Sequence, residues 1–312
     1  MSLNTFSFLI TPQEKKQILN SNLVKYLPIK NSYIEYLLEY KKTKITIYKT
    51  QKCLIQGNET KQVVETFFAS HLPNLASMNP KIQQTNIIGS DEVGVGDYFG
   101  GLCVCAVFLD DKLVAKIHDL NIKDSKLLDD TTICDLAMKL IAIVPYEIYN
   151  ILPIEYNHLI ELYHNSHVIK TIGHYTAINK LVDKLKSQNK VIDEIIIDQY
   201  VSSAKFHAYL NQAQITNNKL RFTFCTHAET KYLAVACASI IARYFYLEQI
   251  KQLSLQAQIQ LPLGAWNNKI ENASFQLINQ CHGNTEEINR VLNYYVKLHF
   301  SNTQKIITKL NN

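Results

Sequence analysis

Acidic residues stand among glycines in one short stretch of the chain. Asp91 and Glu92 are adjacent in the run GSDEVGVGDYFGG, and five of the nine glycines lie within its thirteen residues, 89–101. Two neighbouring carboxylates repel each other unless a cation or a proton holds them. Glycine has no Cβ, so the backbone can come close to a ligand. The stretch predicts a cation site beside bare backbone, and the alternative is a tight acidic turn at a strand end.

The spacing of these glycines argues against a nucleotide phosphate loop. Gly94 and Gly96 are followed by Asp97-Tyr98-Phe99. Neither the lysine of a Walker A loop nor the third glycine of GxGxxG occurs at the required position. The glycine cluster therefore does not predict a dinucleotide site.

Two further acids stand at the ends of apolar segments. Asp198 follows the apolar run 195–197, and Glu229 precedes the apolar run 233–242. Ligands bind at strand ends of open α/β sheets, although Asp198 can also be an ordinary turn residue. Glu229 can equally close a capping box with Thr226. If all four acids meet at one sheet edge, their oxygens suit Mg²⁺ or Mn²⁺, and two such ions support phosphodiester hydrolysis.

The elements that must position these acids alternate along the second part of the chain. Strands are predicted at 86–88, 102–109, 145–152, 195–197 and 221–225, and helices at 155–163, 167–187, 229–250, 271–280 and 285–299, with a short helix before 221. Such alternation indicates an α/β domain. We predict that this domain covers 86–312, after a linker at 71–85 that contains two prolines.

The first part of the chain carries the whole positive excess. Residues 1–80 contain ten Lys and five Glu and no Arg or Asp, which accounts for the net charge of +5. We predict a domain over 1–70 with a capped helix of about twelve residues from 12, strands near 32–38, 43–49 and 52–56, and a helix at 59–71. Ile45 and Ile47 would face its core, and Lys44, Thr46 and Tyr48 the open side. Lysine and tyrosine suit phosphates and sugars or bases, although an ordinary solvated face is the alternative.

Other residue types predict packing rather than chemistry. The seven cysteines include no CxxC pair, which indicates reduced, buried thiols in a cytosolic protein. The first sixteen residues lack a signal-peptide pattern, and the longest apolar run is about half a membrane span. Packing roles are also expected for Cys103 and Cys105, for Trp266 and for the pair Tyr294 and Tyr295. The histidines 158, 164, 167 and 174 are expected to be ordinary surface or core residues, although the spacing of 164 and 167 would also allow metal ligation.

The ordered motifs resemble ribonuclease HIII, a type 2 ribonuclease H. They comprise GSDEVGVGDYFGG, KDSK at 123–126, IDQ at 197–199, THAE at 226–229, ASIIAR at 238–243, LPLGA at 261–265 and KLHFSNT at 297–303. The resemblance covers about 89–305 and is weaker over 1–70, where IQG at 55–57 and the element order match. It implies a ribonuclease H-like mixed sheet with flanking helices, an α/β (α+β) fold, and a small N-terminal α+β domain like the TATA-binding protein.

The resemblance also implies an activity and a set of roles. The activity is endonucleolytic cleavage of the RNA strand of RNA–DNA hybrids with two divalent ions, Mg²⁺ or Mn²⁺, leaving 3′-hydroxyl and 5′-phosphate ends. The implied metal-binding acids are Asp91, Glu92, Asp198 and Glu229, and the implied substrate contacts are Gly94, Val95, Gly96, Ser125 and Lys126, to which the sequence adds Lys44 and Tyr48. We expect a cytoplasmic monomer without an obligate protein partner or a membrane.

Three positions depart from the family pattern. Gly101 stands where the family has proline, which we expect to loosen the strand start; Leu127 replaces a lysine, and His227 replaces a lysine beside the fourth acid. These departures bear on substrate affinity, since no proposed metal ligand is lost. The rival functions are a catalytically silent hybrid-binding protein, which the intact acid set opposes, and removal of single ribonucleotides from DNA, which Glu229 and the N-terminal domain oppose.

Overall fold

The computed structural model describes residues 5–29, 31–71, 86–120, 122, 129–216 and 220–310. The chain divides into two compact units, Met1–Lys81 and Ile82–Asn312. Almost all of the predicted linker lies outside the described residues, so the predicted domain boundaries stay a prediction.

The described residues of the first unit form a five-stranded antiparallel sheet and two α-helices. Its elements are β1 (Thr5–Leu9), α1 (Pro12–Leu19), β2 (Lys25–Tyr26), β3 (Ile34–Tyr40), β4 (Thr43–Tyr48), β5 (Lys52–Gln56) and α2 (Thr60–Phe67). The strand order is β1-β5-β4-β3-β2. This mixed α+β unit fits the TATA-binding-protein-like fold that the resemblance implies.

Alternation along β4 builds the core of this unit. Ile45 and Ile47 are fully buried and share a hydrophobic cluster with Ile18 of α1 and with Val63 and Val64 of α2. Because successive strand residues point to opposite faces, one face of the sheet packs on the helices and the other is left open. The predicted inward direction of the two isoleucines is confirmed.

Some details of the first unit differ from the prediction. The strands β1 and β2 were not predicted, and α1 has eight residues instead of about twelve. Thr46 is buried, because it is flanked on the neighbouring strands by Leu37 and Leu54. Lys44 is exposed and Tyr48 is half-buried, so the open face presents these two side chains without the threonine between them.

The second unit is a five-stranded mixed sheet with helices on both faces. Its elements are β6 (Ile87–Val93), β7 (Leu102–Leu109), α3 (Asp111–Ile117), α4 (Asp130–Ile141), β8 (Tyr146–Ile151), α5 (Pro153–Tyr163), α6 (Ser166–Ser187), β9 (Glu194–Asp198), α7 (Ser203–Gln212), β10 (Thr223–Cys225), α8 (Ala228–Lys231), α9 (Leu233–Ala257), α10 (Asn268–Asn279), α11 (Thr285–Tyr295) and α12 (Ser301–Leu310). In the order β10-β9-β6-β7-β8, the strands β10, β9 and β6 are parallel, and β7 is antiparallel to β6 and β8. The predicted mixed sheet with flanking helices is confirmed.

The two longest helices of this unit bury its central strands. All eight residues of β7 are buried; Cys103 and Cys105 belong to the core that includes α9, and Phe108 to the core that includes α6. A Cβ on Gly89 of β6 would lie only 2.3 Å from the backbone nitrogen of Val235, so the helix α9 packs directly on the strand backbone. The predicted packing role of the two cysteines is confirmed.

One helix among the described residues, α9, is long and apolar enough to cross a membrane. Within its most apolar window, 61% of the helix is buried inside the unit, where it packs on β6 and β7. The core helix of a soluble protein has the same length and composition, so α9 is weak evidence for a membrane span.

The structure corrects the predicted end of β6, the first strand of the second unit. Pairing with β7 continues as far as Val93, five residues beyond the predicted end at Ile88. Asp91 and Glu92 therefore lie within a strand and not in a glycine-rich turn. Their side chains consequently point to opposite faces of the sheet.

Other elements of the second unit also differ from the prediction. The helices α3 and α4 were not predicted, although the side chains of Asp110 and Asp129 cap them. The predicted helix over 229–250 is broken at Tyr232, whose backbone is extended. The break separates α8, which carries Glu229, from α9, which forms the core.

Candidate active site

Two adjacent parallel strands bring three of the four predicted acids to one sheet edge. The pairing of β6 with β9 ends at Ser90 and Ile197, so Asp91 and Asp198 follow side by side. Glu92 is the next residue of β6. Because parallel strands end at the same edge, this arrangement follows from the strand register alone.

The fourth acid is joined to the third through one backbone hydrogen bond. The amide of Ala228 donates to Oδ1 of Asp198 at 2.8 Å, and Glu229 is the next residue. Glu229 is only 7% exposed. The N-cap of α8 is His227, which has a left-handed backbone with φ 53° and makes no side-chain cap, so the helix begins one residue later than a capping box of Thr226 and Glu229 requires. The four acids thus lie in one region of the second unit.

Asp91 occupies an unfavourable place for a charge. Burial, and next the charge of Glu92, raise the pKa of Asp91 to about 7, while hydrogen bonds from Ser239 and from the Glu92 amide oppose the shift. The amide nitrogen of Glu92 lies 2.8 Å from Oδ1 of Asp91 in this hydrogen bond. Asp198 adds to the repulsion. A buried carboxylate of raised pKa beside other acids is typical of a functional site, and a bound cation would relieve the repulsion.

Glu92 is held by two basic side chains of α6. The ammonium of Lys170 donates to Oε1 at 2.8 Å, and Nε2 of His174 lies 2.9 Å from Oε2. Burial alone would raise the pKa of Glu92, but the hydrogen bonds and charges of His174 and Lys170 outweigh burial and bring it down to about 2. The two adjacent acids therefore have very different electrostatic environments.

Sequence reasoning missed Lys170 and expected His174, like the histidines near it, to be an ordinary surface or core residue. His174 is fully buried, and His167, three residues before Lys170, stacks on Tyr200 and Tyr209. The available signal was the spacing 167, 170, 174, which places three side chains on one helix face. Metal ligation by His164 and His167 is not supported: over the residues that the structure describes, no three His, Cys, Asp or Glu side chains form a metal-ligand group.

The same observation shows that the acids are not assembled as a ready ligand set in this structure. Two of the acids already accept hydrogen bonds within the protein, Glu92 from Lys170 of α6 and Asp198 from the amide of Ala228. The chemistry of the donors still fits a divalent ion of the Mg²⁺ type, since all four are carboxylates and oxygen ligands suit Mg²⁺ and Mn²⁺. Asp91, Glu92, Asp198 and Glu229 are the residues that would hold such ions.

The glycine loop follows β6 directly, and its two inner glycines differ. Gly94 has φ 102°, and a Cβ there would lie 2.3 Å from the ring of Tyr246. Its glycine is thus required by the fold. Nothing lies within 4 Å of a Cβ built on Gly96, which is exposed. Val95 is half-buried against a small apolar cluster, so Gly96 is the place where the fold leaves backbone open.

A polar network supports this loop from behind. The amide of Gly264, in the LPLGA motif, donates to Oδ1 of Asp97 at 2.6 Å. The buried ammonium of Lys297, in the KLHFSNT motif, donates to the carbonyls of Asp97 and Gly100 at 2.7 Å each. Two motifs distant in sequence therefore fix the far end of the loop.

Gly101 does not loosen the strand start, which corrects the expectation drawn from its replacing proline. Its amide donates to Oε1 of Gln249 at 2.7 Å, a bond that proline cannot make. A Cβ at this position would lie 2.0 Å from the carbonyl oxygen of Ile151. Glycine is thus held tightly at the start of β7.

The remaining predicted contacts stay predictions. Ser125 and Lys126, like Leu127, lie outside the described residues. Lys44 and Tyr48 belong to the first unit. Trp266 is partly buried, with the ammonium of Lys305 5.1 Å from its ring centre, which agrees with local packing. The rings of Tyr294 and Tyr295 pack edge to face, 5.0 Å apart.

Comparison with known proteins gives the family. The family described as Ribonuclease HII matches residues 88–303. The chain is 37% identical to Ribonuclease HIII of Lactococcus lactis subsp. cremoris (strain SK11) over 88% of this chain and 89% of that protein, and 36% identical to Ribonuclease HIII of Bacillus licheniformis over 84% of each.

Solved structures agree with the sequence comparisons. Bst-RNase HIII in complex with Mn²⁺ is 27% identical and superposes with a TM-score of 0.68, over 97% of this chain and 98% of that one. RNase H3 of Aquifex aeolicus, also 27% identical, has a TM-score of 0.52 over 95% and 100%. With an acidic sheet edge, a supported glycine loop and these relatives, the chain belongs to the type 2 ribonucleases H and, within them, to the ribonuclease HIII family.

Proposed function

We propose that this ribonuclease H cleaves the RNA strand of RNA–DNA hybrids endonucleolytically with two divalent ions, leaving 3′-hydroxyl and 5′-phosphate ends. The observation that carries the proposal is the placement of Asp91, Glu92, Asp198 and Glu229 by β6, β9 and α8 in one region of the second unit. The Mn²⁺ complex of Bst-RNase HIII supports the metal requirement. Both Mg²⁺ and Mn²⁺ fit the carboxylate set.

The acids of this chain would hold the ions, and neighbouring residues orient the acids by hydrogen bonds. Divalent ions in such a site supply an activated water and stabilise the leaving oxygen. Burial and the charges of Glu92 and Asp198 disfavour a charge on Asp91 in the absence of a cation. Ser239 and the Glu92 amide orient its carboxylate by hydrogen bonds.

The glycine loop supplies the means to distinguish RNA from DNA. The 2′-hydroxyl both donates and accepts hydrogen bonds, and it is the group that DNA lacks. The backbone of Gly94, Val95 and Gly96 offers amides and carbonyls next to the acids, and Gly96 is open to a ligand. We assign the reading of the 2′-hydroxyl to this backbone, with Ser125 and Lys126 as further contacts to the substrate.

The first unit supplies affinity for the duplex. Its first 80 residues account for the net charge of the chain, and the open face of its sheet presents Lys44 and Tyr48. Phosphate contacts of this kind strengthen binding without reading sequence. We propose that the enzyme acts as a cytoplasmic monomer, without a membrane or an obligate partner protein.

A charge-neutral substitution tests the catalytic assignment. Asp91→Asn keeps the shape of the side chain and removes one proposed ligand charge, so we expect it to abolish cleavage of a labelled hybrid while hybrid binding stays largely intact. Asp119→Asn, at a fully exposed acid, is the matched control and should cleave normally. Normal turnover by Asp91→Asn would overturn the assignment.

A substrate comparison separates this function from that of ribonuclease HII. The matching family is described as Ribonuclease HII, so removal of single ribonucleotides is the second candidate. We expect cleavage of a continuous hybrid to exceed cleavage of a DNA duplex with one ribonucleotide under both Mg²⁺ and Mn²⁺. The reverse preference would favour the second candidate.

A further inference from the structure

Two residues of α6 contact one acid of the site, and a third holds the tyrosine that packs beside them. Lys170 and His174 each contact one oxygen of Glu92, and Thr171 bonds the hydroxyl of Tyr200 at 2.6 Å. These positions share a helix face because they are spaced by three and four residues. The helix thus places one hydrogen-bonding partner at each carboxylate oxygen of Glu92.

The ring of His174 is fixed on three sides. Its Nδ1 lies 2.8 Å from the hydroxyl of Ser90, which also donates to the carbonyl of Cys105 at 2.9 Å. The ring stacks on Tyr200, with centres 5.5 Å apart and planes 14° apart. A fully buried ring held in this way can direct Nε2 only towards Glu92.

The ammonium of Lys170 is buried between Glu92 and the ring of Tyr200. The residue is 6% exposed, and its ammonium lies 3.8 Å from the ring centre of Tyr200 and 2.8 Å from Oε1 of Glu92. Burying an ammonium is costly unless it is paired and hydrogen-bonded. The hydrogen bond and the aromatic face together offset that cost.

We propose that Lys170 and His174 are positioning residues, which fix the Glu92 carboxylate in the direction needed to bind a divalent ion. The inference rests on the proposed metal-binding role of Glu92. Each carboxylate oxygen has two lone pairs, and the contacts with α6 use one on each. The remaining lone pairs stay available to an ion. Side chains that orient metal ligands in this way typically change metal affinity or activity by about 10–100-fold when they are removed.

Mn²⁺ titration of the full-length protein without substrate tests the proposal. Lys170→Met keeps the length of the side chain and removes its charge, so we expect the Kd for Mn²⁺ in calorimetry to rise by about tenfold or more. Lys170→Arg should recover part of the loss. His174→Gln loses the bond to Ser90 and should also weaken Mn²⁺ binding. Lys184→Met, on the same helix at an exposed pair with Glu147, is the matched control and should bind as the wild type does.

Kinetics give an independent readout. In Lys170→Met the Mn²⁺ concentration for half-maximal cleavage should rise, while the KM for hybrid at saturating Mn²⁺ stays near the wild-type value. A raised KM for hybrid with unchanged Mn²⁺ affinity would overturn the inference, because the residue would then act on the substrate.

The outcomes separate this inference from the proposed function. If the wild-type protein shows no Mn²⁺ binding that Asp91→Asn removes, the proposed metal site fails. If that binding is present and is unchanged in folded Lys170→Met or His174→Gln, only the positioning role fails. Tighter binding in Lys170→Met would also overturn the inference, because Lys170 would then compete with the ion. Thermal melting identifies a variant that does not fold, and the other variant then decides.

Discussion

At the scale of single residues, two lysines are buried among the described residues of the second unit, and they have different roles. Lys170 faces a carboxylate, whereas Lys297 faces the carbonyls of Asp97 and Gly100. Burial is the main cause that lowers the pKa of Lys297 to about 7. A neutral amine still has two N–H donors, so both carbonyl bonds survive the loss of the proton. Lys297 can therefore support the glycine loop in either protonation state.

The shifted pKa predicts a pH dependence of stability. Between pH 7 and about 10.5 the unfolded chain binds a proton at Lys297 that the folded chain has released, so this residue's contribution to the unfolding free energy rises with pH. The unfolding free energy of the wild type should therefore rise relative to that of Lys297→Met, by up to about 1.4 kcal/mol per pH unit.

Urea unfolding at pH 7, 8 and 9 measures this gap. The fluorescence of Trp266, the one tryptophan of the chain, reports on the second unit. The exposed Lys251 supplies the control, since Lys251→Met should show a gap that does not change with pH. A constant or shrinking gap for Lys297→Met would contradict the assignment.

At the scale of elements, the glycine loop combines a structural position with an open one. Gly94→Ala places a methyl group against Tyr246 at positive φ, so we expect a loss of stability of about 1 kcal/mol or more. The methyl group added by Gly96→Ala meets no neighbour, so the unfolding free energy of this variant should lie within about 0.5 kcal/mol of the wild-type value. If the loop backbone reads the 2′-hydroxyl, Gly96→Ala nevertheless lowers the cleavage rate.

Melting curves and hybrid cleavage rates, measured on the same two variants, check this prediction. The informative result is an inactive, fully stable Gly96→Ala beside a destabilised Gly94→Ala. Undiminished cleavage by Gly96→Ala would return both glycines to purely structural roles.

Elements were predictable from the sequence where one local pattern decided them. The strand Leu102–Leu109 has the predicted ends, because an unbroken apolar run is required when both faces are buried. The end of β6 was not predictable in this way, since pairing with β7 extends the strand through Asp91 and Glu92. The two-residue β2 has too few residues for any period, and the break at Tyr232 interrupts an otherwise helical pattern.

The residues of the site also differ in whether a local sequence pattern could predict them. The four acids were identified from their neighbours in the sequence and from the ordered motifs. Lys170 and His174 were missed because their contact with Glu92 depends on how α6 crosses the sheet, which no local pattern specifies. Long-range contacts of this kind become visible only when the packing of helix on sheet is known.

At the scale of the whole molecule, charge is divided unequally between the two units. The first 80 residues hold the net +5, and the remainder has equal numbers of acidic and basic residues. Two of the lysines form ion pairs within the unit, Lys15 with Glu35 and Lys61 with Glu65, and these pairs leave the net excess unchanged. Lys44 is exposed on the open face of β4, opposite Glu39 and Gln56 of the neighbouring strands.

The exposed position of Lys44 on this face predicts that it is a lysine of the first unit that binds a polyanion. If Lys44 contacts a phosphate, Lys44→Gln weakens hybrid binding for every sequence and reduces the slope of log K against log salt by about 1. The helix α2 packs on the opposite face of the sheet, so Lys61→Gln is the matched control: it removes one positive charge from the same unit and should leave that slope nearly unchanged. Binding is measured by fluorescence anisotropy between about 50 and 200 mM salt, without divalent metal so that no strand is cut. Equal losses in the two variants would mean that only the summed charge of the unit attracts the duplex, and no loss at Lys44 would remove the open face of the sheet from the binding surface.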